Sequence, residues 1–379
     1  MSRRSGYNNF VPASLRREIG QLLIGSLPAT TITPEIRSLA REFQLGGVTL
    51  FKRNIEAPEQ VAELNHDLQS LSAELPLWVA VDQEGGRVAR LRAPFTEWPP
   101  MATLGRSGDE TLAYRFAAAL AEELKAVGIT LDYAPVLDIH TNPSNPVIGD
   151  RALSEDAATV ARLGAAVIRG FQEHGVAACG KHFPGHGDTS VDSHLALPII
   201  EHPPDRIRRV ECVPFREAIR NDVAFMMTAH ILVPALDEQR PATLSPTIVR
   251  GMLREELGFQ GVILSDDLEM KALADTYSVP EAAVQAIAAG CDGVLVCRHL
   301  SSDRSQDAEV QAAVLETLVH AIEDGRIPYK RAEDALSRNR RAKERFLTAA
   351  VVPGRGAVLR EVLGNDTHRR IADEMARFL

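Results

Sequence analysis

A barrel of parallel strands wrapped by helices is the fold this sequence predicts, and three observations predict it. Short β-rich apolar runs alternate with helix-like stretches from Gly46 to about Val296, the sequence sign of a parallel sheet with crossover helices. Most of those runs are nearly continuous in apolar residues, as strands covered on both faces are. Polar residues then gather where the runs end: Asp82, Asp138, His182, His230 and Asp266 each sit at or near the C-terminal end of a predicted strand. In a (β/α) barrel that end is the rim that carries the chemistry. Five independent strands ending this way are hard to obtain from packing alone.

The predicted strands, in order, are GGVTLF (46–51), LWVAVD (77–82), ITLDYAPVLDI (129–139), ACGKHF (178–183), VAFMMTAH (223–230), GVILSD (261–266) and DGVLV (292–296). Between them lie helix patterns at 58–71, 110–127, 156–174, 210–221, 245–257 and 280–289. Several open on Ser, Asp or Pro and close before Gly, as capped helices do. Two stretches rich in Gly, Pro, Asn and Arg, 84–104 and 140–153, follow two of the strands. Loops that long inside a compact domain are usually functional. A length of 379 residues fits one large barrel or two domains. The candidate site residues run from Asp82 to Asp266, and the strands from 46 to 296 leave no room for a second domain between them. The expectation is one barrel domain over 1–350 and a helical appendage over 351–379, set off by a Pro-Gly break.

Composition removes several functions. Lys and Arg number 42 against 51 Asp and Glu, a net charge of −9, so no global positive field exists to hold nucleic acid or an anionic membrane. The first 25 residues contain Asn8, Asn9, Pro12, Arg16, Arg17 and Glu18, which break any signal-peptide core. No later stretch approaches the roughly 18 uncharged residues of a membrane span. Cys179, Cys212, Cys291 and Cys297 are scattered without a disulfide or C-x-x-C pattern, which suits a reducing cytoplasm.

The densest polar constellation is KHFPGHGDTSVDSH, Lys181 to His194. Its glycines and proline make it a loop folded over a strand end. His182, His186, Asp188, Asp192 and His194 are possible metal ligands, but their spacing matches no helical zinc motif. For His186 the plainer role is to tie the loop down. Asp192-x-His194 is sharper: residues i and i+2 of an extended segment point the same way. The Asp192 carboxylate can thus accept from one imidazole nitrogen and make the other a proton shuttle. A partner is available in VILSDDLEM, where Asp266 or Asp267, but not both, can project into the same pocket, since neighbours on a strand face opposite ways. In VDQEGGRVARL, Asp82 can grip a vicinal diol, while Arg90, Arg151 and Lys181 can donate to ring hydroxyls, an amide oxygen or a carboxylate. Arg87 reads as a structural arginine beside a turn.

These residues resemble a family. VDQEGGRVAR, GDR, KHFPGHG with its downstream V-D-S-H, and SDDLEM stand in the order and approximate spacing of glycoside hydrolase family 3, from about Leu23 to Val296. The V-D-S-H is similar to that of its β-N-acetylglucosaminidase branch, bacterial enzymes of cell-wall recycling. The resemblance implies a retaining β-N-acetylhexosaminidase on a TIM-like (β/α)8 barrel without a second sandwich domain. At matching positions it implies Asp266 as nucleophile, His194 as acid/base and Asp192 as its partner. It further implies Asp82, Arg90, Arg151, Lys181 and His182 as ligands of a non-reducing N-acetylglucosamine. The expected substrate is a small saccharide or muropeptide ending in 1,6-anhydro-N-acetylmuramic acid, the expected state a cytoplasmic monomer, with no cofactor or metal. Phosphorolysis remains open, because a neutral imidazole does not repel phosphate as a carboxylate does. Also open are substrate-assisted cleavage, another family 3 β-glycosidase, a metal-dependent barrel hydrolase using His182, His186 and His194, and a sugar-binding protein without turnover.

Overall fold

The computed structural model describes residues 13–72, 74–297, 306–347 and 356–379. Within them eight parallel strands close into a barrel: β1 (Leu23–Ser26), β2 (Gly47–Leu50), β3 (Trp78–Val81), β4 (Leu131–Asp132), β5 (Ala177–Phe183), β6 (Phe225–Thr228), β7 (Val262–Asp267) and β8 (Gly293–Leu295). Each pairs with the next in sequence, and Leu23 opposite Val294 and Ile24 opposite Leu295 join the first strand to the last. This is the TIM-like (β/α)8 architecture. Seven of the eight strands were expected from sequence. The missing one, β1, is only four residues long and follows the single helical turn Ile19–Leu22 directly. The run 129–139 forms a regular ladder only at Leu131–Asp132, with one further bridge from Val136 to Lys181. Pro135 lies between and has no N–H to contribute.

The six expected crossover helices match the sequence pattern to within two residues at either end, and their caps explain why, whereas the helix Pro34–Glu42 between β1 and β2 was not expected. Asp109 accepts the N–H groups of Thr111 and Leu112, Asp156 that of Thr159 and Ser278 that of Glu281, each satisfying donors that the first helical turn leaves without a partner.

The two-residue period of the strands sorts side chains between lumen and helix layer. Trp78 and Ala80 of β3, Ala177 and Cys179 of β5, and Val262 and Leu264 of β7 pack into one buried lumen cluster, while Val79, Val81 and Ile263 belong to the core under the helices. The lumen is sealed at the bottom, where Trp78 meets Phe225 edge-on at 5.1 Å and Phe346 and Leu347 close in. There the buried Lys343 amino group donates to Gln21 Oε1 and the Gly46 carbonyl at 2.7 and 2.8 Å. Continued upward, the same period places Asp82, Lys181 and Asp266 at the top of the lumen. Two further helices, Ala357–Val362 and Asp366–Ala376, pack on helix Glu110–Ala126. The expected boundary between 350 and 351, like residues 1–12 of the N-terminal segment, lies outside the described residues. Among those described, no helix is long and apolar enough to cross a membrane.

Candidate active site

A cavity at the C-terminal rim is lined by Asp82, Arg90, Arg151, Lys181, His182, His194 and Asp266, with Phe51, Tyr133, Met227 and Leu295 among its apolar walls. Seven of the eight residues singled out from sequence thus border one space. The eighth, Asp192, stands behind His194.

One side of the site is a buried charge network. Lys181 Nζ lies 2.8 Å from Asp82 Oδ1 and 2.6 Å from Glu84 Oε1. Arg151 grips both oxygens of Glu84, at 2.7 and 2.8 Å, the bidentate geometry suited to guanidinium and carboxylate. Arg90 Nη2 reaches Asp82 Oδ2 at 3.2 Å. Burial opposes charge on both acids, yet Lys181 and Arg90 hold Asp82 far below the usual carboxylate range, and Arg151 and Lys181 bring Glu84 to about 2. Glu84 is the member that sequence reasoning missed. Its signal was its spacing, two residues beyond Asp82 in VDQE. Gln83 between them faces away, accepting the N–H groups of Arg90 and Leu91 and so fixing the base of the loop.

His182 is oriented from below. Its Nδ1 lies 2.6 Å from Asp138 Oδ2, and Asp138 Oδ1 accepts the backbone N–H groups of His182 and His186 at 3.2 and 2.6 Å. Burial disfavours the Asp138 charge, but the neighbouring His182 keeps its carboxyl below the usual range. Asp138 was visible as a strand-end acid; its role as the orienter of His182 was not. His186 behaves as the loop tie expected: Nδ1 meets Thr189 Oγ1 at 2.7 Å and Nε2 meets Ser193 Oγ at 3.3 Å. Burial brings its pKa down to about 4. Arg87 likewise ties loops together, through Asp150 at 2.9 Å and the carbonyls of Val147 and Ile148.

The third part is Asp266 with the Asp192–His194 pair. Asp192 Oδ1 lies 2.8 Å from both the backbone N and the Nδ1 of His194. Asp266 continues the lumen-facing row of β7 and accepts the N–H of Asp267 at 2.8 Å. Burial raises its pKa, but His230 and His182 outweigh this and keep the carboxyl below its ordinary value. Both aspartates border the cavity, although only one was expected to reach it; they differ in their bonds, Asp267 turning its carboxylate to the backbone N–H groups of Glu269 and Cys297. The three imidazoles of the metal alternative are each bonded to protein groups. Among the described residues no group of three or more His, Cys, Asp or Glu is placed to hold a metal ion.

Chemically, the arrangement offers an ionised carboxylate, a carboxylate-oriented imidazole and a preorganised charged grip around one cavity. Comparison with known proteins gives the family. The model of the glycosyl hydrolase family 3 N-terminal domain matches residues 14–342. The β-hexosaminidase of Nitrosomonas eutropha is 38% identical, over 84% of this chain and 90% of that protein. β-Hexosaminidase A of Pseudoalteromonas piscicida is 35% identical over 92% of this chain, which spans only 60% of that longer protein. The solved family 3 β-N-acetylglucosaminidase of a Paenibacillus strain superposes with a TM-score of 0.89 at 42% identity, covering 96% of this chain and 68% of that one. The chain belongs to glycosyl hydrolase family 3, as a glycoside hydrolase whose relatives are β-hexosaminidases.

Proposed function

We propose that this chain is a retaining β-N-acetylglucosaminidase that removes a non-reducing terminal N-acetylglucosamine from peptidoglycan fragments. The observation that carries the reading is that Asp266 and His194, with Asp192 behind it, border the same cavity as the Asp82–Lys181–Glu84–Arg151 network. Retaining glycosidases ordinarily pair two carboxyl groups about 5–5.5 Å apart. Here the second is replaced by an imidazole held by a carboxylate.

In the first step an Asp266 oxygen attacks the anomeric carbon as the bond to the leaving oxygen breaks. Protonated His194 donates to that oxygen, and the aglycone departs as an alcohol. Because Nδ1 is committed to Asp192, Nε2 is the nitrogen that moves the proton. In the second step neutral His194 removes a proton from water, the water oxygen bonds the anomeric carbon, and the ester to Asp266 breaks. Asp192 offsets the positive charge that His194 carries once it has taken that proton. Asp82 accepts from sugar hydroxyls while Lys181, Arg90, Arg151 and His182 donate or orient, holding the ring before either step begins.

The aglycone that best fits the family resemblance is 1,6-anhydro-N-acetylmuramic acid, with or without a stem peptide, a fragment recycled inside the cell. The four buried free cysteines suit that reducing compartment. A panel of aryl β-glycosides tests the reading. Cleavage of the N-acetylglucosaminide over the glucoside and xyloside, unaffected by chelator, with free N-acetylglucosamine released in phosphate buffer, is the expected result. Loss of activity with chelator would replace the mechanism by a metal-dependent one, and release of the sugar 1-phosphate would make the protein a phosphorylase.

A further inference from the structure

The C-terminal helices are fastened to the same loop that reaches the active site. Leu359, Leu363, Ile371 and Met375 are buried, Glu374 pairs with Arg115 of helix Glu110–Ala126 at 3.0 Å, and Arg106 donates to the Phe378 carbonyl at 2.6 Å. At the centre of this contact is Glu123, a wholly buried carboxylate on that helix. From the loop after β3 it accepts the backbone N–H of Thr96 at 3.0 Å and the Thr96 hydroxyl at 2.7 Å. From the tail it accepts the N–H of Gly364 at 2.7 Å and is met by Nδ1 of His368 at 3.1 Å. A buried carboxylate is tolerated when so many donors converge on it, and here they come from both segments at once. The two also touch directly: Gly364 has φ +55°, and a Cβ built on it would lie 2.3 Å from the Pro94 carbonyl oxygen. Glycine is required there both for the left-handed backbone and for the close approach.

The loop so held is the one that carries Arg90, six residues before Thr96, with its guanidinium 3.2 Å from Asp82. Its near end is pinned by Gln83, whose side chain accepts from the Arg90 and Leu91 N–H groups and donates to the Leu91 carbonyl. Its far end is pinned by Glu123. None of Thr96, Glu123, Gly364 or His368 lines the cavity.

We propose that Glu123, Gly364 and His368 form a latch through which the C-terminal helices position Arg90 against Asp82, making the tail a determinant of sugar affinity. These are positioning residues, and their effect on affinity rests on the reading of Asp82 and Arg90 as sugar ligands. Breaking the latch frees the far end of the loop, so Arg90 holds the sugar less well in the substrate complex and the transition state alike. The expected signature is a weakened KM with kcat retained.

The test is His368→Ala beside His368→Asn, whose side-chain amide can take the place of Nδ1 and keep the bond to Glu123. His368→Ala is expected to raise KM for the aryl β-N-acetylglucosaminide about fivefold, with kcat within a factor of about two, and His368→Asn to stay close to the parent. In an Arg90→Ala background His368→Ala should raise KM no further, because the two act in series. KM does not depend on the fraction of folded enzyme, so partial misfolding cannot mimic the result. Amide hydrogen exchange over 90–97, which needs no substrate, should quicken in His368→Ala even if the parent cleaves no glycoside. In that case the functional reading falls while the latch stands. An unchanged KM, or the same rise in the Arg90→Ala background, would overturn the proposal.

Discussion

The two halves of the site are held in opposite ways. Lys181 and Glu84 are each 2% exposed and bonded to each other and to Asp82 and Arg151. Asp192 and His194 are 28% and 36% exposed, and they pair with each other across two residues of one loop. Of the five large apolar side chains exposed among the described residues, Val191, Leu195 and Ile199 flank His194 in sequence. The proposed sugar grip is thus a buried part of the barrel, whereas the proposed proton shuttle stands on a more exposed part of a loop that His186 ties down through Thr189 and Ser193. The difference teaches where each kind of mutation should register: grip residues in stability and affinity, shuttle residues in turnover. The proposed nucleophile, Asp266, belongs with the grip by position, since it continues a strand, and with the shuttle by the chemistry proposed for it.

Asp266→Asn is the severest test, because it removes the proposed nucleophile without changing shape. It should lower kcat by roughly 10⁴-fold or more while leaving the melting temperature near the parent's. A fall in stability of the same order as for grip mutants would erase the contrast. His194→Ala and Asp192→Ala come next. General acid–base catalysis is worth about 10²–10⁴-fold, and the loss should be larger for alkyl than for nitrophenyl leaving groups, which need no protonation. Thermal unfolding should barely register either change.

Glu84→Gln should do the reverse. It leaves Lys181 and Arg151 buried with half their counter-charge, a cost of about 3–5 kcal/mol for a broken buried pair, visible as a lower denaturant midpoint and a weaker KM. The pH profile of stability gives an independent view. Asp82 and Glu84 have folded pKa values below their unfolded ones, so the stability they contribute is complete above the ordinary carboxylate pKa of about 4. It is lost as pH falls toward the folded value, about 2 for Glu84. Melting temperatures measured from pH 6 to pH 3 should decline, and Glu84→Gln should flatten the decline. The smallest effect is expected for Leu195→Ser on the shuttle loop, within about 0.5 kcal/mol in stability. A larger loss would mean that the loop is better anchored than its exposure indicates.

Much of this contrast could be read from the chain itself, and the rest could not for identifiable reasons. Strand ends were legible because continuous apolar runs stop at a polar residue, and the lumen period then fixes which side chain faces the cavity. That period puts Asp266 on the lumen row, yet both aspartates border the cavity, and only the backbone bonds of Asp267 set the two apart. Glu84 was hidden by its neighbour: Asp82 already explained the motif, and nothing in the spacing tells that Lys181 and Arg151 both converge on the second acid. Asp138 lies forty-four residues from His182, so its partner is a product of strand pairing and not of local sequence. The contact of the tail was hidden in the same way, because Glu123, which bonds to Gly364 and His368, is a single acid among the buried positions of helix Glu110–Ala126. A charge on the buried face of a helix was the signal in the sequence that could have pointed to such a partner.

The central claim is that Asp266 forms a covalent bond to the sugar while the His194–Asp192 pair moves the proton. It is tested most directly by intact-protein and peptide mass spectrometry after incubation with a slowly turned-over fluorinated aryl glycoside of N-acetylglucosamine. The account predicts one added glycosyl unit located on the peptide containing Asp266, accumulating further when His194 is replaced by Ala. No adduct during turnover, or an adduct on a different residue, would contradict it.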